Sequence, residues 1–328
     1  MGMEFSIRRM GEADLAAVAE IEAGVFTDWY RVHRRDPEPL SERTLDELRY
    51  ATSITPDANL VAVSAEGALV GFVLARLWGS VGWFGTFGVP TQFQGLGIGK
   101  ALVSYTMEHL RDRATTVGLE TMPESGANMG LYARSGLVVS FPTLILEYAL
   151  LREAGNLGQA GPGETVAWSA QDTGSRTRLA AGVREIGDAI LCGLDYTAEV
   201  EAIESHGLGE TFFSFSDGAV DGFAILRTVP FRNHDTSGRG YVHAMALRPG
   251  ADQAAALTSL LRQMLQRAAS VGLTRVVTGL SARYPDALDL LLRRGFRVVR
   301  AAIRMVDRDS PPEIFRASSA TELSRWAG

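Results

Sequence analysis

Val89-Pro90-Thr91-Gln92-Phe93-Gln94-Gly95-Leu96-Gly97-Ile98-Gly99-Lys100-Ala101-Leu102 is the stretch on which the reading of this chain turns. It reads as the end of a strand, a glycine-rich turn and the start of a helix. Glycines at alternate positions let successive backbone N–H groups converge without interference from a Cβ. At a helix N-terminus those donors and the helix dipole form an anion site suited to a pyrophosphate. Lys100 adds a positive charge beside it. Taken alone, the stretch fits a flexible turn before a helix equally well. The spacing is not Gly-x-Gly-x-x-Gly with an acidic residue ending a second parallel strand, and it lacks Gly-Lys-Ser/Thr.

Working outward, Glu12 to Phe26 places Leu15, Val18, Ile21, Glu22 and Val25 at helical spacing. Thr27 to Asp57 is polar, aromatic-rich and broken by prolines, with a short helix expected over Thr44 to Ala51. Asn59 to Val63 and Leu69 to Leu77 flank Glu66-Gly67 as a hairpin. Trp83 to Val89 reads as a strand, Gly99 to Ala114 as a helix and Leu119 to Met122 as a strand. Asn128 to Ser135 reads as a short helix, and Val138 to Tyr148 as the last strands of this half.

A glycine-rich run from Gly155 to Gly163 follows, and there the chain is divided: residues 1–152, a linker over 153–164, and residues 165–328. The second part repeats the first. Val70-Gly71-Phe72 returns as Asp221-Gly222-Phe223, and Leu131-Tyr-Ala-Arg-Ser-Gly-Leu137 as Leu290-Leu-Leu-Arg-Arg-Gly-Phe296. Ala114-Thr-Thr-Val-Gly-Leu119 returns as Ala268-Ala-Ser-Val-Gly-Leu273. Equating Gly118 with Gly272 makes the second glycine loop five residues short, since Pro90 to Gly118 spans 28 positions and Pro249 to Gly272 spans 23.

The 328 residues are 46% hydrophobic and 21% charged, which is globular composition and excludes a mainly disordered chain. A net charge of −6 argues against a nucleic-acid or anionic-membrane binder, which needs a basic face. Cys192 is the one cysteine, so no intrachain disulfide forms; with no apolar leader at the N-terminus, a reducing, cytoplasmic setting is expected. Met1-Gly2 with Ser6 formally fits a myristoylation pattern, but Glu4 to Arg8 reads better as a first strand. Lys100 is the one lysine among 32 basic residues, a bias that suits a GC-rich bacterial genome. No metal site is expected.

Gln94-x-x-Gly97-x-Gly99 after Val89-Pro90, followed by Asn128-x-x-Leu131-Tyr132-x-x-x-Gly136-Leu137, resembles the two signatures of the GNAT acetyltransferase superfamily. The resemblance covers roughly residues 3–150 well and 165–307 more faintly. It implies an α/β (α+β) fold of two tandem GNAT-like domains, each a mixed, mostly antiparallel sheet flanked by helices. In the first, the sheet would splay between the strands near Val89 and Thr121 to admit a pantetheine arm. Residues Gln94, Gly95, Leu96, Gly97, Ile98, Gly99 and Lys100 would then hold the pyrophosphate of acetyl-CoA. Phe87 and Val89 would pair with pantetheine, Asn128 would contact the cofactor, and Tyr132 would protonate the departing thiolate. Without the motif, Tyr132 reads as an amphipathic helix residue beside Leu131.

The implied activity is acetyl transfer to the amine of a small-molecule acceptor. An attacking amine must be neutral, so a base is expected. Trp83 to Phe87 carries no acid; Glu120, Glu124 and Asp28 are candidates, with Glu124 preferred because it lies just after the strand bordering the cleft. Solvated surface carboxylates are the alternative reading of all three. Trp29 and Tyr30 are expected to meet the acceptor or, alternatively, to pack a domain interface.

The second copy reads as degenerate, with Asp252 in its loop and Leu291 at the tyrosine position. His243 reads as a structural histidine. The two domains are expected to pair within the chain. A non-catalytic acyl-CoA-binding or scaffolding protein, and transfer of longer acyl chains or to oxygen, remain alternatives.

Overall fold

The computed structural model describes residues 3–34, 38–150, 164–216, 218–250 and 252–324. The expected linker over 153–164 lies outside the described residues except for Glu164. The first half runs β1 (Phe5–Arg9), α1 (Leu15–His33), α2 (Leu45–Ile54), β2 (Leu60–Ser64), β3 (Leu69–Trp78) and β4 (Val81–Gly88). It continues with α3 (Ile98–Arg111), β5 (Thr116–Thr121), α4 (Gly126–Arg134), β6 (Leu137–Val139) and β7 (Thr143–Ala149). The second half opens with β8 (Glu164–Ala167), α5 (Thr173–Ile190), α6 (Thr197–Ser205), β9 (Gly209–Ser216), β10 (Ala219–Arg227) and β11 (Arg239–Leu247). It ends with α7 (Gln253–Ser270), β12 (Arg275–Ser281), α8 (Pro285–Arg293), β13 (Arg297–Asp307) and β14 (Thr321–Ser324).

Local chemistry accounts for these elements. Thr44 caps α2, its hydroxyl accepting from the Glu47 N–H at 3.2 Å, and Asp46 and Glu47 favour the positive end of the helix dipole. α3 buries Leu102, Val103, Thr106, Met107 and Leu110, the stripe that its spacing dictates. β3 is apolar almost throughout because the sheet is covered on both faces. α1 extends beyond the expected Phe26 to His33, carrying Trp29 and Tyr30 on helix rather than loop.

The sheet is continuous through both halves, in the order β1-β2-β3-β4-β5-β13-β7-β12-β11-β10-β9-β8. The halves have exchanged one strand each, β7 and β13. β13, from the second half, pairs antiparallel with β5 of the first through Ile303↔Thr121 and Met305↔Leu119. β7, from the first half, pairs antiparallel with β12 of the second along Arg275↔Ala149 to Ser281↔Thr143. β7 and β13 also pair with each other. The exchanged strands carry buried anchors: Arg304 reaches back to Glu120 at 2.8 Å, and Leu146 and Tyr148 enter the core of the second half. Trp83 and Trp78, from the first half, belong to that same core. The intramolecular pairing of halves is therefore a shared sheet and a shared core.

Both halves splay in the same place. β4 runs parallel to β5 from Val81↔Thr116 to Phe84↔Leu119, and the two strands part beyond. β11 runs parallel to β12 over Arg239↔Arg275 to Tyr241↔Val277, then parts.

The expected shortening of the second loop is not what the structure contains. Pro90 to Thr116, where β5 begins, and Pro249 to Arg275, where β12 begins, are the same 26 positions apart. The Gly118–Gly272 match is out of structural register, since Gly118 lies within β5 and Gly272 in the turn after α7. What differs is the use of the residues: α3 has 14 and α7 has 18, so one further helical turn replaces the glycine loop.

Candidate active site

The phosphate-loop residues lie together at the start of α3. Gly95 and Gly97 take φ of +79° and +87°, the left-handed region that glycine tolerates, and both open onto empty space. Gly97 is the N-cap and supplies no side-chain cap, so the first-turn N–H groups, unpaired by helix geometry, face outward. Gln94 donates its side-chain amide to the Val89 carbonyl at 3.0 Å, pinning the loop to the strand end. Leu96 and Lys100 are exposed, Ile98 is buried in the core, and a Cβ on Gly99 would come within 3.2 Å of the Phe87 ring.

Beyond Phe84 and Leu119 the splayed strands border a cleft of about 150 Å³. Phe87, Asn128, Tyr132, Trp29 and Tyr30 all line it. Val89 is buried just outside it. Tyr132 is 5% exposed and packs edge-on against Phe84 at 6.1 Å. Burial raises the pKa of its phenol, which stays protonated throughout the neutral range. Trp29 Nε1 and Glu120 Oε2 are buried beside the cleft without a hydrogen-bond partner, polar capacity that a bound group would use.

Glu124 lies apart from these residues. It is not among those lining the cleft and forms an ion pair with Arg34 at 3.3 Å on the rim. Its own backbone N–H and the Arg34 guanidinium hold its carboxyl below the usual range, which weakens it as a base. Asp28 is exposed and paired with Arg31. Glu120 is buried, its Oε1 accepting from Arg304 at 2.8 Å and from Thr143.

A second cavity, of about 460 Å³, opens between the two halves. It shares Phe26, Tyr30, Thr86 and Arg300 with the first, so the two spaces adjoin at the end of the splay. One wall is α1 with Glu22; the opposite wall is second-half chain, including Phe231, Arg232, Tyr241 and His243. Glu22 is 1% exposed; its Oε1 meets Arg232 at 2.6 Å and Arg43 at 3.4 Å. Arg43 in turn donates to the Thr86 hydroxyl at 2.8 Å.

Beneath the cavity Glu199 is fully buried and accepts from Trp78 at 2.9 Å, Arg76 at 3.1 Å and Tyr50. His243 completes this group at 3.1 Å. Burial opposes the Glu199 charge, but His243 and Arg76 outweigh it and hold the carboxyl well below its ordinary range. His243 is thus held by a buried carboxylate. None of Glu22, Arg43, Glu199 or Arg300 was singled out as functional from the sequence. The one available signal was Glu22, a carboxylate on the apolar stripe of α1.

In the second half the equivalent cleft is closed. β14 pairs antiparallel with Ala244 to Leu247 of β11, beyond the point where β11 leaves β12, and packs against β12. Thr321, Glu322, Leu323 and Ser324 are all buried. At the start of α7 the Asp252 carboxylate accepts from the Ala255 N–H at 3.1 Å, capping the helix that would have faced an anion.

Residues 26–137, which span the glycine loop, the splay and Tyr132, match the model of the acetyltransferase (GNAT) family. A GCN5-related N-acetyltransferase from Sphaerobacter thermophilus superposes over 94% of this chain and 96% of its own, with a TM-score of 0.61 at 16% identity. Over residues 26–137, about a third of the chain, this protein is similar to the GNAT family. A tandem GNAT protein from the clavulanic acid biosynthesis pathway shares the two-unit fold over 94% of this chain and 99% of its own, with a TM-score of 0.58 at 14% identity. The mycothiol acetyltransferase of Paenarthrobacter aurescens (strain TC1) is 29% identical over 113 residues, 32% of this chain. The match spans 35% of that relative's length, about a third. The GNAT match over residues 26–137 supports acyl transfer in general terms. Among the described residues no helix is long and apolar enough to cross a membrane.

Proposed function

We propose that this protein is an acetyl-CoA-dependent N-acetyltransferase acting on the amine of a small-molecule acceptor, with chemistry confined to the first half. The observation that carries the reading is the open splay, flanked by an uncapped helix start and the buried Tyr132, and continuous with a cavity built by both halves.

When bound, acetyl-CoA supplies an acyl group activated as a thioester. The N–H groups from Gly95 to Lys100 would hold its pyrophosphate, with Lys100 adding charge. Phe87 and Val89, on the diverging strand end, would pair with the pantetheine arm, and Asn128 would contact it from α4. The acceptor enters from the cavity between the halves, past Tyr30 and Thr86. Its nitrogen forms the new C–N bond as the C–S bond breaks, and the phenol of Tyr132 gives its proton to the departing sulfur. Backbone donors at a splay of this kind stabilise charge on the carbonyl oxygen, an effect typically worth about 3 kcal/mol per well-placed donor.

The amine's proton goes to a carboxylate. Glu124, preferred on sequence grounds, lines neither space, which favours Glu22 instead: it lines the cavity that adjoins the splay, and its Oε2 is buried and accepts no hydrogen bond. The second half, its cleft closed by β14, serves as the wall of the acceptor cavity. The lone Cys192 accords with a reducing, cytoplasmic setting.

The test is native mass spectrometry with acetyl-CoA, followed by amine-dependent thiol release. One cofactor per chain, with turnover abolished by Tyr132→Phe, supports the reading. Binding without turnover over a broad amine panel turns it toward a non-catalytic acyl-CoA-binding protein. No binding overturns it.

A further inference from the structure

The cavity between the halves carries charge whose pairing is uneven, and that imbalance specifies a ligand. Arg76, Arg232 and Arg239 each hold a carboxylate there, at 3.1, 2.6 and 3.2 Å. Asp235 accepts the Ser237 N–H at 2.8 Å. Arg43 lies between Glu22 and Glu47, at 3.4 and 3.5 Å. Among the described lining residues, Glu22 and Arg300 stand out. Glu22 Oε2 is buried and accepts no hydrogen bond, although Oε1 of the same carboxylate takes two arginines. A buried carboxylate oxygen without a donor is costly, and a ligand that donates to it removes the cost. Arg300 is exposed, has no ion-pair or hydrogen-bond partner among the described residues, and lines both spaces where they adjoin.

We infer that the acceptor is a zwitterion: an amine that also bears a carboxylate or phosphate, its ammonium received at Glu22 and its anion at Arg300. This rests on the acetyltransferase reading above. Glu22 is linked through Arg43 to Thr86, which borders both spaces, so an amine held there stands beside the splay. Arg300 is brought to the junction by the exchanged strand β13, opposite Ile145 of β7. A planar guanidinium suits either anion, with bidentate contact available to both. The T-shaped pair Phe231 and Tyr241, with centroids 4.6 Å apart, offers an apolar surface in the same cavity. A cavity of about 460 Å³ is the size of a small-molecule site.

The probes are matched sets: an amino acid, its carboxamide, the corresponding decarboxylated amine, and the aminoalkyl phosphate of the same chain length. Each is titrated calorimetrically into the CoA-loaded protein, and thiol release from acetyl-CoA is measured in parallel. We expect at least one anionic member to bind at least tenfold more tightly than its carboxamide and its amine. Arg300→Met should reduce that ratio to near one, and Arg300→Lys should restore part of it. Glu22→Gln should weaken every amine-bearing probe, including the decarboxylated amine, without changing the acid-to-amide ratio. Preference for the carboxylate or for the phosphate identifies the anion.

Equal binding of acid and carboxamide, discrimination that survives Arg300→Met, or no binding by any probe overturns the inference. Those outcomes leave the acetyltransferase reading standing wherever acetyl-CoA binds and a neutral amine is turned over. Failure to bind acetyl-CoA itself defeats that reading instead.

Discussion

The two clefts of this chain share one strand arrangement and differ in what fills it. In the first, α3 begins at Gly97 with no side-chain cap, and β4 leaves β5 beyond Phe84 and Leu119 to border a cleft. In the second, Asp252 caps α7 with a carboxylate and β14 lies along β11 beyond the splay. Each feature that would greet a nucleotide cofactor has an intramolecular substitute: a carboxylate for the phosphates, a strand for the pantetheine. Tyr132 faces Phe84 in one, and Leu291 lies wholly within the core in the other. The second cleft is occupied, with its backbone groups paired by its own chain.

The widest-reaching way to break this comparison is to test whether the clefts are parts of one body. Arg304→Met removes a fully buried cation and strands Glu120, which should cost about 3–5 kcal/mol. Calorimetry should show one transition shifted as a whole; two transitions would mean the halves unfold separately despite the shared sheet.

Next in size, Tyr132→Phe should lower kcat by about a hundredfold or more, as loss of a general acid does, with little change in acetyl-CoA affinity. Comparable turnover in the variant would remove the chemical difference between the clefts.

Gly97→Asp sharpens the comparison by giving the first cleft the cap of the second. It places a side chain at a φ of +87° and a carboxylate at the phosphate position. Affinity for acetyl-CoA should fall at least tenfold in a titration, and native mass spectra should show empty chains.

The smallest effect concerns the strand that fills the second cleft. Burial raises the pKa of the Glu322 carboxyl, a shift only partly offset by Arg304, Ser324 and Tyr196. An acid raised on folding ionises first in the unfolded chain, so its contribution weakens the fold as pH climbs from the ordinary carboxylate range towards the raised value. Glu322→Gln should therefore raise Tm more at pH 8 than at pH 4.5. The opposite order would show that the charge is stabilising where it lies.

What was legible in the sequence was local. The glycine spacing before α3 and the Asn128–Tyr132–Gly136 pattern each sit within a few turns of chain, and their physical requirements are met there. The repeat was legible in two matches whose offset drifts from 151 to 159 residues, but Ala268 to Leu273 matched Ala114 to Leu119 through residues in different structural places. Strand exchange was not legible, because β7 and β13 have the apolar pattern of a last strand whichever sheet they join. Arg300 was missed for the same reason. Its position at the junction of the two spaces follows from the sheet β13 enters, which its neighbours in sequence do not encode. Glu22 was visible as an oddity on an apolar helix face, but its arginine partners lie 21 and 210 residues away.

The exchange of β7 and β13 has a consequence for how such a chain can change. Two identical molecules that traded their last strands would carry every substitution twice, once in each cleft, and a residue that improved one wall would alter its twin. Joined in a single polypeptide, the copies are released from that symmetry while the partner stays at fixed effective concentration, however dilute the solution. A capping aspartate can then arise in one copy and a bare glycine persist in the other. The asymmetric acceptor cavity, with Glu22 on one side and Phe231 and Arg232 on the other, is a shape that a strict two-fold axis would have to build twice.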